Sequence, residues 1–217
     1  GFLVNRLLLP YMSEATELLL EGASAKSVDR AAESFGMPMG PIHLYDVVGL
    51  DVARHAGQTM LDSFPDRVIA SPLIVDLVNA GRLGQKSGSG FYSYDNKKRR
   101  PQTDPQLETF LNARRKGDRE IAADELVDRL FLPMLLEATR VLEERVVRDA
   151  RDVDLGLIFG IGFPPFKGGL LFWADTLGAA GILERLKPYE ALGPRYQPTG
   201  MLVEMARTGA TFYGSSG

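Results

Sequence analysis

The chain of 217 residues has no cysteine, one tryptophan and two histidines. Without cysteine there is no disulfide, no thiolate metal ligand and no cysteine nucleophile, and the composition fits a reducing compartment. Two histidines with no cysteine also make a poor metal set. An excess of positive charge is missing as well: 25 Lys and Arg stand against 28 Asp and Glu, for a net charge of −3. Nucleic acid, which is held through phosphate-neutralising Lys and Arg, is not an expected partner. Long apolar runs are absent. The uncharged stretch Leu155–Phe166 has 12 residues and ends in Pro164-Pro165, whereas a bilayer span takes roughly 20. Phe2–Leu9 is broken by Asn5 and Arg6 and has no cleavage site of small residues after it, so no secretory signal is expected. The first residue is Gly1 rather than Met, and the sequence reads as a fragment of a longer, soluble protein.

What is present is ordinary globular composition, 45% hydrophobic and 24% charged, in a length that suits one large domain or two of about 100 residues each. Leu3, Leu7, Leu8, Tyr11, Ala15, Leu18 and Leu19 recur at helical spacing, which predicts an amphipathic helix over 5–20 with Gly22 as its stop. Ser24 is placed to cap a second helix whose apolar face is Val28, Ala31, Ala32 and Phe35. Short helices are expected at 44–60 and 72–80, and a short extended segment at Phe91, Tyr92 and Tyr94. Residues 95–120 hold 13 charged positions and read as an exposed, solvated connector.

After the connector the sequence returns. Arg6-Leu-Leu-Leu-Pro10 reappears as Arg129-Leu-Phe-Leu-Pro133, and Glu14-Ala-Thr16 as Glu137-Ala-Thr139. Val28-Asp29 has a counterpart in Val153-Asp154, Phe35-Gly36 in Phe159-Gly160, and Asp46 with Gly49 in Asp175 with Gly178. Matches kept in order indicate an internal repeat. The expectation is a doubled helical domain, 1–96 and 122–217, joined by a charged linker over 97–121. Two such copies would pack about a pseudo-two-fold axis, as the protomers of a homodimer do.

Candidate chemistry is sparse. Gly84-Gln-Lys-Ser-Gly-Ser-Gly90 is followed by the aromatic run Phe91-Tyr92-Ser93-Tyr94 rather than by a helix. A dinucleotide loop needs a helix N-terminus there. The stretch therefore reads as a turn, with Lys86 left as a possible contact for an anion. His43 has Asp46 three residues on, and His55 has Asp51 four before. Each pair could form on one helix face, as surface or capping contacts more readily than as a catalytic base. Lys167 is a loop cation between Pro164-Pro165-Phe166 and Gly168-Gly169; Phe172 and Trp173 suit a core or an interface.

Gly1-Phe-Leu-Val-Asn-Arg-Leu-Leu-Leu-Pro-Tyr11 resembles the opening of the C-terminal domain of 3-hydroxyacyl-CoA dehydrogenases, and Met37–Pro41, Asp46–Asp51 and Gly84–Tyr92 follow in that family's order. Gly160–Gly169 and Trp173–Gly178 make the second copy similar to the multifunctional fatty-acid oxidation α-subunit. The resemblance implies an all-α fold of two tandem copies of the helical C-terminal domain (6-phosphogluconate dehydrogenase C-terminal-like), with no Rossmann domain in the chain. It implies part of an oxidoreductase of fatty-acid β-oxidation, a pathway of lipid metabolism. Its substrate would be an L-3-hydroxyacyl-CoA, and its cofactor NAD, bound by a Rossmann domain that lies outside this chain. A hydratase domain and a thiolase subunit are implied further partners. The location implied is the bacterial cytoplasm, with the mitochondrial matrix as the alternative.

One functional residue carries over. Asn5 matches the family's substrate-contacting Asn, which supports the catalytic geometry; without the resemblance an N-cap would be the simpler reading. Phe159 stands where some relatives have a Tyr that reaches substrate, and it keeps the ring while losing the hydroxyl donor. The isolated chain is expected to be inactive, since it lacks the nicotinamide site and the base. The alternative to a substrate-completing fragment is a non-catalytic helical module that acts through packing and oligomerisation. A helical domain from another NAD-dependent dehydrogenase is a third option, weakened by the repeat and by Asn5.

Overall fold

The computed structural model describes residues 2–95 and 100–214. It is mostly helical. Helix α1 (Phe2–Leu20) is followed by α2 (Ala25–Phe35), α3 (Pro41–Val48), α4 (Leu50–Ser63) and α5 (Pro72–Asn79). A two-stranded antiparallel ribbon of β1 (Tyr92–Tyr94) and β2 (Pro101–Thr103) leads to α6 (Leu107–Arg114). Then come α7 (Ala123–Glu143), α8 (Ala150–Ile161), α9 (Leu170–Leu177), α10 (Ala179–Leu186) and α11 (Gly200–Thr208).

Local chemistry sets most of these boundaries. Ser24 accepts from Ser27 N at 3.0 Å and caps α2; Asp149 does the same for α8 through Arg151 N and Asp152 N. The helix expected over 44–60 is two helices, because Gly49 at φ 98° breaks the ladder between α3 and α4. Pro10 and Pro133 both sit inside helices. A proline removes one i to i−4 hydrogen bond. At Pro133 the freed carbonyl of Arg129 accepts instead from the Tyr196 hydroxyl, at 3.2 Å.

The core forms where α1 runs along α7. Tyr11, Leu18, Leu19, Phe131, Leu135 and Phe163 are fully buried there, each contributing about 1.5–3 kcal/mol by leaving water. Phe35 stacks on Phe131 at 3.8 Å, and Trp173 meets Phe35 edge-on at 5.1 Å. Trp173 therefore fills the core, while Phe172 beside it is 47% exposed.

The contacts between α1 and α7 are reciprocal. Arg6 Nε donates to Glu137 Oε1 at 2.6 Å, and Arg129 Nε donates to Glu14 Oε1 at 2.7 Å. The donors differ by 129 − 6 = 123 and the acceptors by 137 − 14 = 123. The same relation holds for the second helices. A Cβ on Gly36 would press on Pro164, and one on Gly162 would press on Pro38. Gly36 ends α2 and Gly162 ends α8, whereas Gly160 lies inside α8. The counterpart of Phe35-Gly36 is thus 161–162, not Phe159-Gly160, because α8 is one residue longer than α2. That leaves Phe35 buried and Phe159 84% exposed.

The connector differs from its expected form. Leu107 and Leu111 of α6 are buried, Lys116 N and Gly117 N donate to Leu20 O, and Arg119 N donates to Glu21 O. Several of this segment's charges pair with the body, as in Arg114 with Asp76 at 2.7 Å and Lys116 with Glu17 at 2.5 Å. The segment is a structured strap rather than a solvated tether. Of the basic block 97–100, only Arg100 lies among the described residues.

Candidate functional site

Asn5 lies within the first turn of α1, so it is not the N-cap. It is exposed, and its amide makes no hydrogen bond to a described residue. Helix α8 packs across this turn: Gly160 leaves room for Val4, and Gly156 faces Leu3. Asn5 and Phe159 follow and precede the residues of that contact, one on each of the two helices. Phe159 is 84% exposed and Leu155, one turn before it, 51%. An amide with free donors and a bare aromatic ring are each suited to a ligand with both polar and apolar parts. Neither side chain is engaged in holding the fold.

The other candidates have structural partners. Lys86 Nζ bonds both oxygens of Asp51, at 2.5 and 2.7 Å, so Asp51 neutralises Lys86 instead of meeting His55, which is exposed. His43 does not pair with Asp46. Its ring lies along Tyr94 at 6.4 Å, and its Nε2 is 3.4 Å from Gln85 Nε2; burial pushes its pKa down. Lys167 sits 4.3 Å over the Phe35 ring, a cation–π contact. The glycine stretch 84–90 closes as a turn, with Gly84 N donating to Ser89 O at 2.8 Å. Its concave side is filled by Asp46, whose Oδ1 lies where a Gly90 Cβ would be. Asp46 thus occupies the side on which a pyrophosphate would have to lie. These residues do not fit a dinucleotide, and among the described residues no group of three or more His, Asp or Glu could hold a metal.

Sequence reasoning missed the two carboxylates that organise each half. Asp29 accepts from Ile42 N, His43 N and the Tyr92 hydroxyl, at 2.8, 3.1 and 2.7 Å. Asp154 accepts likewise from Leu171 N, Phe172 N and the Tyr213 hydroxyl, at 2.8, 3.0 and 2.6 Å. Each caps the helix after it, α3 or α9. Asp46 and Asp175 hold the backbone of Phe91-Tyr92 and of Phe212-Tyr213 in the same manner. The available signal was the run Phe-Tyr occurring near the end of both halves.

Burial pushes Asp29 and Asp46 up to about 6, against their hydrogen-bond donors, which pull the other way. An unfolded aspartate ionises near about 3.9, so between roughly 4 and 6 the folded chain binds the additional protons. That share of stability is complete at low pH and is lost as pH rises through 6. Asp29→Asn cannot titrate. It should therefore cost more relative to the natural chain at pH 5 than at pH 7. Equal costs in urea melts at the two pH values would exclude Asp29 from the pH response.

Comparison with known proteins fits this geometry. Residues 1–94 match the family model of the 3-hydroxyacyl-CoA dehydrogenase C-terminal domain. The fatty acid oxidation complex subunit alpha of Pseudomonas aeruginosa (strain LESB58) is 43% identical over 219 residues, covering 99% of this chain and 31% of that protein. The subunit alpha of Pseudomonas syringae pv. syringae (strain B728a) is 42% identical over 221 residues, with the same 31% share. The chain thus spans less than a third of the length of these curated relatives. Among solved structures, the dehydrogenase part of multifunctional enzyme 1 from C. elegans aligns with a TM-score of 0.71 at 26% identity, over 94% of this chain and 47% of that one. A 3-hydroxybutyryl-CoA dehydrogenase from Escherichia coli K12 aligns with a TM-score of 0.76 at 24% identity, over 95% of this chain and 60% of that one. That likeness is one of fold, and it shows that the helical arrangement of the whole chain is not confined to proteins named as multifunctional. Residues 1–94 thus resemble the 3-hydroxyacyl-CoA dehydrogenase C-terminal domain, and the chain as a whole is similar to part of the fatty acid oxidation complex α subunit.

Proposed function

We propose that this chain is the helical part of an NAD-dependent L-3-hydroxyacyl-CoA dehydrogenase of fatty-acid β-oxidation, and that it completes the acyl-CoA cleft. The observation that carries the reading is Asn5: an amide free of partners at an exposed helix turn, inside the segment that matches the family. It would donate to the substrate's C3 oxygen, which gains carbonyl character as the hydroxyl is oxidised. Phe159 would cover the ligand from α8. Hydride acceptance belongs to NAD held by a Rossmann domain outside this chain, and the exposed Leu155, Phe159 and Phe166 are suited to being covered by such a domain. A hydratase domain and a thiolase subunit would complete the parent assembly. No helix among the described residues is long and apolar enough to cross a membrane, which is compatible with a parent enzyme in the bacterial cytoplasm.

The two reciprocal Arg–Glu pairs and the paired Asp–Tyr caps support reading the chain as two copies of one domain, 1–96 and 122–217, with 97–121 as the strap between them. Such an arrangement would place one Asn-bearing turn per chain. The position equivalent to Asn5 is Asp128, which pairs with Arg185 at 2.8 Å and so is not free to meet a ligand.

Acetoacetyl-CoA binding, followed by calorimetry on the chain and on Asn5→Ala, tests the reading. Binding that weakens by about tenfold in Asn5→Ala is expected, the worth of one well-placed hydrogen bond. Equal binding by both would remove Asn5 from the site. No NAD-dependent turnover is expected from the chain alone, and measurable turnover would mean that a nicotinamide site exists within it.

A further inference from the structure

A cavity of about 130 Å³ lies between α1, α4, α5 and the loop 64–71. Leu9, Leu61, Val68 and Ile74 give it apolar walls. An apolar void of comparable size holds a benzene molecule, so there is room for on the order of four to six carbons of an aliphatic chain.

Two features argue that this space is kept for an occupant. Gly57 lines it from the middle of α4. Glycine inside a helix is destabilising relative to alanine, and it is normally retained for a positive φ or for a close approach. Gly57 has neither: its φ is not in the left-handed region, and a Cβ there would meet nothing within 4 Å. A side chain at 57 would extend into open space at the rim of the cavity it lines. The second feature is position. Asn5, Leu9 and Ser13 follow one another at intervals of four along α1, hence along one side of it, and the last two line the cavity. The wall starts about 6 Å beyond Asn5 along the helix axis.

We propose that this cavity receives the aliphatic end of the acyl chain of a ligand held at Asn5, and so sets the chain length bound most tightly. The proposal rests on the acyl-CoA reading above for the identity of the ligand, but the cavity can be tested separately. The alternative content is water held by Ser13 and by Ser71, whose buried Oγ has no hydrogen-bond partner.

The experiment is a calorimetric series of butanoyl-, hexanoyl-, octanoyl- and decanoyl-CoA against the chain and against Gly57→Leu, which fills the void from α4. Gly57→Ala, a better helix former, is the milder variant that stays folded if the leucine does not. A separate titration with 1-hexanol, read by NMR on the Leu61 and Ile74 methyl groups, probes the cavity without CoA. The expected result is an affinity that rises about fourfold per added methylene and then levels off, with the rise flattened by Gly57→Leu and butanoyl-CoA binding unchanged. Acyl-CoA binding that is independent of chain length, or of the Gly57 substitution, overturns the cavity and leaves the acyl-CoA reading standing. If no acyl-CoA binds while hexanol shifts those methyl signals in the natural chain only, the cavity stands as an aliphatic site and the acyl-CoA reading falls. No response to either overturns the proposal.

Discussion

Glu14→Ala should lower the stability of the folded chain by about 3–5 kcal/mol. Glu14 is 1% exposed and is surrounded by cations: Arg129 Nε and a second Arg129 nitrogen bind Oε1, and Arg195 Nε binds Oε2 at 2.8 Å. Arg129 is itself 1% exposed. Removing the carboxylate leaves two guanidinium groups in one buried cluster with part of their donors unmatched, and Glu21, on Arg129 at 2.8 Å, is the hydrogen-bonded carboxylate left to offset them. The cost is that of charged donors buried without an acceptor, which exceeds the net value of an ordinary ion pair. Glu204→Ala is the control, because its pair with Arg207 lies in water, where the solvent screens such pairs and the melt should not move. Urea melts of the two variants decide the matter. A loss below about 1 kcal/mol for Glu14→Ala would mean that the buried network repacks without its centre.

Gly90→Ala should cost at least about 3 kcal/mol, and Gly88→Ala only about 1–2. The two glycines lie two residues apart in the same stretch, yet their surroundings differ. A Cβ on Gly90 would fall on Asp46 Oδ1, the oxygen that accepts from Phe91 N at 2.8 Å. Asp46 would have to move, giving up the backbone of Phe91 and Tyr92 together with the Tyr94 hydroxyl at 2.9 Å. Gly88 has φ +80° but open space where its Cβ would stand, so alanine there meets only the left-handed backbone penalty. If these glycines cradled a phosphate instead, both substitutions would affect ligand binding and neither would affect the melt. Comparable melting shifts for the two would contradict the packing account.

The helical periodicity and the Ser24 cap were legible because each depends on neighbours in sequence. Asn5 was singled out through resemblance alone; nothing in its spacing distinguishes a ligand-facing amide from a cap. The roles of Asp29, Asp46, Asp154 and Asp175 were hidden because their partners lie 13 to 63 residues away. An aspartate on an apolar helix face gives no sign of where its donors will come from. The connector misled for a related reason. Its charge density suggested water, but its charges are matched by carboxylates and guanidinium groups on the body, and two leucines four apart suffice to seat α6. Gly57 was passed over because the meaning of a glycine inside a helix depends on the space around it, which only the fold supplies.

The reciprocal pairing of α1 with α7 has a consequence for how the chain is made. Arg6 waits for Glu137 and Glu14 waits for Arg129, across 131 and 115 residues of chain. At about 5–20 residues per second, the ribosome delivers α7 on the order of 6–25 s after α1. Throughout that interval α1 has α2, α3 and α4 to pack against, but the acceptor of Arg6 Nε and the donors to Glu14 have not yet been made. The side of α1 meant for α7 is open to the corresponding helix of a neighbouring chain on the same polysome. A messenger that slows translation before α7 would lengthen the period in which such exchange between neighbours can occur.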